Sequence, residues 1–364
     1  MSRRIRGDPW KWLLFVLGVG FLAYIFVCPG PESIPLPSIG VSAASDYPVK
    51  VPLGLIDPDI PQDNPMSAAK IELGRQLYFD KRLSADDTVS CATCHDPKKG
   101  FAEHEKVSIG VQGKKGNRNA PTSLNAALYD LQFWDGRAPS LEEQAKGPIV
   151  NPVEMAMPSL DSHLVEKLKK VPEYQRPFSE VFKEGITADN IVRAIAAYER
   201  TLLAGDSPFD RYFYGKEENA ISAAAKRGLE VFREKGRCMT CHEILPSFAI
   251  FTDNKFHNVG VGMDKSNPDL GRYLATKEEK DTGAFKTPSL RNVTITAPYM
   301  HDGSEATLES VVDLYDKGGV PNRFLDGGIR SLNLTDQEKK DLVEFMKALT
   351  SPDVEKIGGP HPAQ

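Results

Sequence analysis

Apolar residues recur at helical spacing along most of the chain, and no run of alternating apolar and polar residues indicates a β-sheet. Segments 187–205 and 222–236 show this spacing, and each begins with a residue that commonly caps a helix. A third segment follows the capping-box sequence at Thr335. The pattern predicts a mainly α fold whose compact part begins near Met66.

An internal repeat indicates two related halves. A shift of 167 positions, without gaps, aligns identical residues: Pro121 with Pro288, Asn125 with Asn292, Asp135-Gly136 with Asp302-Gly303, and Leu141-Glu142 with Leu308-Glu309. We therefore predict two cytochrome c-like domains, at 66–206 and 207–352, followed by a flexible tail at 353–364.

The N-terminal residues predict a membrane anchor. Basic residues precede an apolar run of 17 residues, 12–28, which is near the lower limit for crossing a bilayer. The nearest small-residue cleavage pattern lies well beyond this run, so an uncleaved anchor at 1–28 is favoured over a cleaved signal. Residues 29–65 contain nine prolines and are expected to form an extended tether. The rest of the chain would be exported to the periplasm, tethered to the inner membrane.

Composition and net charge do not alter the predicted fold. The chain is 40% hydrophobic and 26% charged, as is usual for a globular protein. Its net charge is −5 and it has no basic cluster, so nucleic acid is not an expected partner.

Two Cys-x-x-Cys-His motifs, at 91–95 and 238–242, predict two covalently bound haem c groups. Two thiols at this spacing can add across the haem vinyl groups, and the adjacent imidazole then ligates the iron. A structural zinc site or a redox dithiol would not require histidine after each second cysteine. The predicted attachment residues are Cys91, Cys94, Cys238 and Cys241, with His95 and His242 as iron ligands.

The sixth iron position distinguishes an electron carrier from an enzyme, because a carrier closes it with a side chain and an enzyme leaves it open. Pro148 and Tyr315 stand at equivalent positions in the repeat, each seven residues after the matched leucine of a predicted helix. Proline cannot ligate iron, whereas a phenol can. If this helix face meets haem, one iron is open and the other is closed; an ordinary, partly buried Tyr315 is the alternative.

Further motifs resemble those of the bacterial dihaem cytochrome c peroxidases, and more closely the methylamine-utilisation (MauG-type) branch: 108–110, 118–122, 133–137, 151–155 and 297–303. The resemblance extends from about Leu73 to Leu349. It implies that the N-terminal haem reacts with hydrogen peroxide and that the C-terminal haem stores or relays electrons.

The same resemblance implies roles for individual residues. Gln144 and Glu154 would lie in the distal pocket of the first haem, where Glu154 would move a proton between the peroxide oxygens. Trp134 would lie between the haems and carry electrons or holes.

The resemblance also implies a calcium ion between the domains. Its ligands would be the side chain of Asn119 and the main-chain carbonyls of Thr296 and Pro298. Oxygen ligands of this kind are those that calcium requires.

Two positions depart from the peroxidase branch. Val111 replaces a histidine that ligates the resting first haem, so the first haem should be open in every redox state; His104 is a nearby histidine that we do not expect to reach the iron. Tyr315 replaces a methionine. A phenolate stabilises ferric and higher oxidation states and lowers the potential, which is the MauG-type arrangement.

The leading hypothesis is a dihaem peroxidase that reduces hydrogen peroxide with electrons from cytochrome c or another donor, relayed through the C-terminal haem. One alternative is a MauG-like enzyme that oxidises Trp or Tyr of a partner protein, which Tyr315 and Val111 favour. Others are a membrane-tethered electron carrier with both irons closed and a haem-based sensor that binds ligands without turnover.

Overall fold

The computed structural model describes residues 47–359, which are mainly helical. The helices are α1 (Ala68–Phe79), α2 (Cys91–Cys94), α3 (Leu141–Val150), α4 (Val165–Lys169), α5 (Pro172–Val181), α6 (Ala188–Glu199), α7 (Pro208–Phe213), α8 (Ala223–Arg233), α9 (Tyr273–Thr276), α10 (Leu308–Lys317) and α11 (Asp336–Lys347). Strands β1 (Phe256–His257) and β2 (Phe285–Lys286) pair antiparallel, with Phe256 opposite Lys286. Of the helices between residues 47 and 359, none is long and apolar enough to cross a membrane. The predicted anchor at 1–28 lies outside the described residues.

Local sequence explains where the main helices begin. Each starts after a Ser or Thr whose side chain accepts a hydrogen bond from the backbone N–H three residues later: Ser140, Thr187, Ser222, Thr307 and Thr335. Helix α6 ends at Glu199, before the predicted Gly205, because the Asn125 side chain accepts a hydrogen bond from the Ala204 N–H (2.8 Å) and holds that segment outside the helix. Helix α8 likewise ends at Arg233 rather than near Gly236.

The Pro-rich segment before Met66 differs from the prediction. Residues 47–65 contain no helix or strand, as expected, but they pack against the folded chain. Leu55 is buried, and the Gly54 carbonyl accepts hydrogen bonds from the backbone N–H of Ala249 (3.0 Å) and from Arg291 (2.7 Å). The described part of this segment is therefore not a free tether, because its carbonyls find donors in the second half of the chain.

The predicted flexible tail is also packed where the structure describes it. Val354 is buried, and the Gly358 carbonyl accepts a hydrogen bond from the Tyr198 hydroxyl at 3.0 Å. Residues 353–359 thus pack on the folded chain, through Val354 in the first core and through the hydroxyl of Tyr198 on α6, and the flexible tail at 353–364 stays a prediction.

Two hydrophobic cores lie in the two halves of the sequence. The first is built around the packing of α1 on α6, and the second around the packing of α8 on α11. Each crossing has a glycine, Gly74 or Gly228, at a point where a Cβ would strike the backbone of the opposite helix. Residues 47–359 lie within one compact unit, so the domain boundaries given above stay a prediction.

Hydrogen bonds repeat between the two halves. Asn125 and Asn292 adopt left-handed backbone conformations, with φ of 61° and 60°, and each begins a short 3₁₀ turn. The backbone N–H of Asn125 donates to the Leu202 carbonyl (2.8 Å), and that of Asn292 donates to the Leu349 carbonyl (3.0 Å). The repeat read from the sequence is therefore also a repeat of backbone geometry.

Candidate active site

Two cavities bring together the residues that the sequence analysis selected. The first cavity is lined by the first motif together with residues of α3 and the loop after it: Cys91, Cys94, His95, Gln144, Pro148 and Glu154. The second cavity is lined by the second motif and by a residue of α10: Cys238, Cys241, His242 and Tyr315. Each motif thus faces a space bounded on another side by the helix that the repeat identified.

The two motif histidines are held as neutral iron ligands would be. His95 Nδ1 lies 3.3 Å from the Phe101 carbonyl oxygen, and His242 Nδ1 lies 2.9 Å from the Phe251 carbonyl oxygen. A hydrogen bond from Nδ1–H leaves the Nε2 lone pair for a metal. Burial lowers the pKa of both imidazoles, which favours the neutral, ligating form.

The motif cysteines suit thioether bonds better than a metal–thiolate site. All four are free of disulfides. Burial raises the pKa of Cys94 and of Cys238 to about 12, so their neutral forms are favoured. A zinc site requires charged thiolates, whereas a thioether to haem carries no charge. The residues present therefore fit haem c.

The distal wall of the first cavity is formed by α3 and the turn that follows it. Gln144 and Pro148 are four residues apart on α3 and so share one face. After the helix, the Asn151 side chain donates a hydrogen bond to Glu154 Oε1 at 2.8 Å. Burial raises the pKa of the Glu154 carboxyl, and the positive charge of Arg137 partly opposes this. A buried carboxyl with a raised pKa can take up a proton at higher pH than an exposed one, and the catalytic role of Glu154 stays a prediction.

The two positions that the sequence raised as alternative ligand sites for the first iron, Val111 and His104, do not line the first cavity. Val111 is buried in the hydrophobic core of the first half, and His104 is exposed with Nε2 3.2 Å from the Ile295 carbonyl oxygen. Among the described residues, His95 is the one histidine that lines the first cavity. Met155 also lines it, but its side chain packs into the same core as Val111.

Tyr315 reaches the second cavity because it stands on the same face of α10 as Leu308 and Val312, which line the cavity too. The pKa of the Tyr315 phenol is raised above the usual value, mainly by burial. The phenol is neutral without a cation beside it, and ligation to ferric iron would favour its ionised form.

Besides Tyr315, the side chains with atoms that could ligate iron in the second cavity include two histidines and two methionines: His257, His301, Met300 and Met346. The His257 ring nitrogens hydrogen bond to Asp326 (2.6 Å) and Asp253 (3.0 Å), and His301 stacks on Phe285 with ring centroids 3.6 Å apart. Both imidazoles are thus held by other partners. Which side chain of this cavity ligates the second iron stays a prediction.

Trp134 lies between the cavities and lines both. Its indole Nε1–H donates to the Asn119 carbonyl at 2.9 Å, and its own carbonyl accepts from the Lys286 N–H at 2.8 Å. These two bonds hold the indole and the main chain of Trp134 between the two cavities.

The three residues implied as calcium ligands lie around the second cavity: Asn119, Thr296 and Pro298. The amide nitrogen of Asn119 donates to the Glu105 carbonyl at 2.9 Å, which leaves the amide oxygen available to a cation. The donor set fits calcium.

Three ionisable residues of the cavities were not predicted from the sequence. Arg137 stacks on the Phe133 ring at 3.5 Å, and Glu199 lines the first cavity with one carboxylate oxygen buried and unpartnered. Burial raises the pKa of Glu199 to about 8. Lys286 lines both cavities. Two signals in the sequence pointed to these residues. Glu199 is a glutamate on the apolar face of α6, and Lys286 aligns with Asn119 in the repeat.

Comparison with known proteins agrees with this geometry. Residues 68–218 match the family model for the di-haem cytochrome c peroxidases. Over 337 residues the chain is 39% identical to the cytochrome-c peroxidase IdrP1 of a Pseudomonas species, which covers 85% of this chain and 88% of that protein. The chain belongs to the di-haem cytochrome c peroxidase family. The predicted resemblance, the two haem c groups and the peroxidase activity are thereby confirmed.

The MauG-type members of the family are equally similar to this peroxidase. The methylamine utilization protein MauG of Methylorubrum extorquens is 42% identical over 293 residues, 79% of this chain and 80% of that protein. A solved MauG-like protein associated with microbial copper homeostasis has a TM-score of 0.76 and 33% identity, and the match covers 85% of this chain and 97% of that one. The comparisons therefore support both branches.

Proposed function

We propose that this peroxidase reduces hydrogen peroxide in the first cavity, with electrons that pass through the second haem from a small cytochrome c or another one-electron donor. The observation that carries the proposal is the asymmetry of the two cavities: Pro148 and Tyr315 occupy equivalent helix positions, and only Tyr315 has an atom that can ligate iron. When bound, haem supplies an iron at which peroxide can be reduced in the first cavity and a store of electrons in the second.

Glu154 performs the proton transfer. Its carboxylate accepts a proton from one oxygen of hydrogen peroxide and returns it to the other oxygen, which leaves as water. Asn151 holds one carboxylate oxygen in place, and burial raises the pKa, so that the proton is retained until it is returned. Gln144, on the cavity face of α3, orients the peroxide through its amide. The overall reaction takes up two electrons and two protons and yields two waters.

Trp134 connects the two cavities. Because Trp134 is held at its indole N–H and at its main-chain carbonyl, it needs no rearrangement to pass electrons from the second cavity to the first. We assign it the relay role.

The location and the calcium site are part of the proposal. Calcium would bind the Asn119 amide oxygen and the carbonyls of Thr296 and Pro298, at the junction of the haem domains 66–206 and 207–352. Residues 1–28 would anchor the protein to the inner membrane, with the catalytic part in the periplasm, as the apolar run after the basic residues suggests.

Tyr315 favours a second candidate function, in which this protein oxidises Trp or Tyr of a partner protein, as in the MauG-type branch. A phenolate lowers the potential of the second haem and makes it a weaker donor to peroxide. The choice of electron donor distinguishes the two functions.

The test uses the holoprotein with both haems. After reduction by two electrons under anaerobic conditions, one equivalent of hydrogen peroxide is expected to oxidise both haems, and reduced cytochrome c should then sustain turnover. A reduced protein that peroxide does not oxidise would overturn the proposal. Turnover with a Trp- or Tyr-bearing protein, but not with cytochrome c, would establish the second candidate.

A further inference from the structure

Lys286 is the counterpart of Asn119 in the repeat, 167 positions later. The backbone shows the same equivalence. The Asn119 N–H donates to the His301 carbonyl (2.7 Å), and the Lys286 N–H donates to the Trp134 carbonyl (2.8 Å). His301 and Trp134 are themselves equivalent in the repeat. The two halves therefore exchange matching hydrogen bonds between the cavities, and Lys286 mirrors the residue that we propose as a calcium ligand.

The ammonium group of Lys286 lies beside the counterpart of a second proposed calcium ligand. Its Nζ lies 3.4 Å from the centroid of the Tyr129 ring, and Tyr129 is the counterpart of Thr296, whose carbonyl is the second proposed calcium ligand. One side of the junction thus has oxygen ligands for a cation. The other side has a cation that is covalently part of the chain.

Lys286 is buried, with 7% of its surface exposed, yet between residues 47 and 359 it has no hydrogen bond or ion pair from Nζ. Arg118, another basic residue of the first cavity, pairs with both Asp135 and Asp269 at 2.7 Å. Contact with an aromatic ring offsets part of the cost of burying an ammonium group, but an anion is needed to offset the rest. Burial lowers the pKa of Lys286 to about 7, against the opposing effect of Asp130.

Lys286 lines both cavities, and among the described residues shared by the two linings it alone is basic. The anions that enter these cavities with the cofactor are the haem propionates. We propose that Lys286 is a tethered cation between the two haems, which pairs with a haem propionate and takes the place that calcium takes on the opposite side of the junction. The inference rests on the haem-binding part of the proposed function, and not on the peroxide chemistry.

A fixed positive charge near a haem stabilises the reduced iron, which carries less positive charge, and so raises the reduction potential. Lys286 is thus a positioning residue that sets the reduction potentials of the two haems. Its removal should lower the potential of at least one haem, whether or not peroxide is a substrate.

The experiment measures both reduction potentials by spectroelectrochemistry in the full-length holoprotein without peroxide. Lys286→Met is compared with Lys280→Met, which removes the same charge from an exposed position. We expect a lower potential in Lys286→Met and retention in Lys286→Arg, with Lys280→Met unchanged. Equal potentials in the Lys286→Met and Lys280→Met variants would overturn the proposal.

A second measurement avoids any failure of the variant to assemble. In the unsubstituted holoprotein carrying haem with ¹³C-labelled propionates, the infrared carboxylate bands should include one shifted by pairing with an ammonium group. Bands that all match solvated, unpaired carboxylates would contradict the pairing. Because neither measurement involves turnover, failure of the peroxide reaction leaves both readouts interpretable.

Discussion

Replacement of Glu154 by glutamine tests the proposed proton transfer most sharply. The substitution keeps the size of the side chain and removes its ability to accept a proton. The Asn151 side chain donates to Glu154 Oε1 at 2.8 Å, and a glutamine oxygen can accept the same hydrogen bond, so the cavity should keep its shape. We therefore expect normal haem spectra in the Glu154→Gln variant.

The expected loss of rate follows from the role. A positioned acid–base group contributes about 10²–10⁴-fold, which corresponds to roughly 2.7–5.4 kcal/mol of transition-state free energy. Stopped-flow mixing of the holoprotein with hydrogen peroxide measures the rate directly. Because burial raises the pKa of Glu154, the rate of the unsubstituted protein should fall as the pH drops through that raised pKa, and the variant should lack this dependence.

Glu143→Gln is the matched control, since Glu143 is an exposed carboxylate at the start of the same helix. It should react with peroxide as the unsubstituted protein does. If Glu154→Gln reacted as fast as Glu143→Gln, Glu154 would have no part in proton transfer.

Three further predictions concern the second haem and stability. Tyr315→Met should raise the potential of the second haem, measured by spectroelectrochemistry, and an unchanged potential would show that Tyr315 is not a ligand. Arg291→Met leaves the fully buried Asp210 carboxylate unpaired and should cost about 3–5 kcal/mol in denaturant unfolding; Arg323→Met, in an exposed ion pair, should cost less than about 1 kcal/mol, and equal costs would contradict the argument. Glu199 has a pKa of about 8 in the folded protein, against an ordinary value of 4.5. As the pH rises between these two values, the carboxyl ionises more readily in the unfolded chain, so the free energy of unfolding should fall by up to about 1.4 kcal/mol per pH unit. Unfolding of Glu199→Gln measured from pH 5 to pH 8 should lack that slope, and a slope equal to that of the unsubstituted protein would refute the assignment.

Helix starts and haem attachment could be predicted because both are local. Thr187 and Thr335 cap helices through hydrogen bonds to residues three positions away, and the cysteines and histidine of each motif lie within five consecutive positions. The internal repeat also allowed a prediction about residues far apart in the chain, since a constant shift of 167 positions pairs Pro148 with Tyr315.

The parts that could not be predicted depend on distant partners. The carbonyl of Gly54 is bonded by Arg291, 237 positions away, and nothing in the Pro-rich sequence indicates that partner. Glu199 and Lys286 have unusual environments because other elements bury them, and a carboxylate or an ammonium group is ordinarily expected at the surface. The end of α6 was overestimated for a similar reason, since the Asn125 side chain, 79 positions away, holds Ala204 beyond the helix.

The central claim is that the first haem has an open iron position and the second does not. The electron-paramagnetic-resonance spectrum of the resting ferric holoprotein, recorded with and without hydrogen peroxide, tests it directly. We predict a high-spin signal from the first haem that disappears when peroxide is added, together with a low-spin signal from the second. Two low-spin signals that peroxide does not change would contradict the account and would leave an electron carrier with both irons closed.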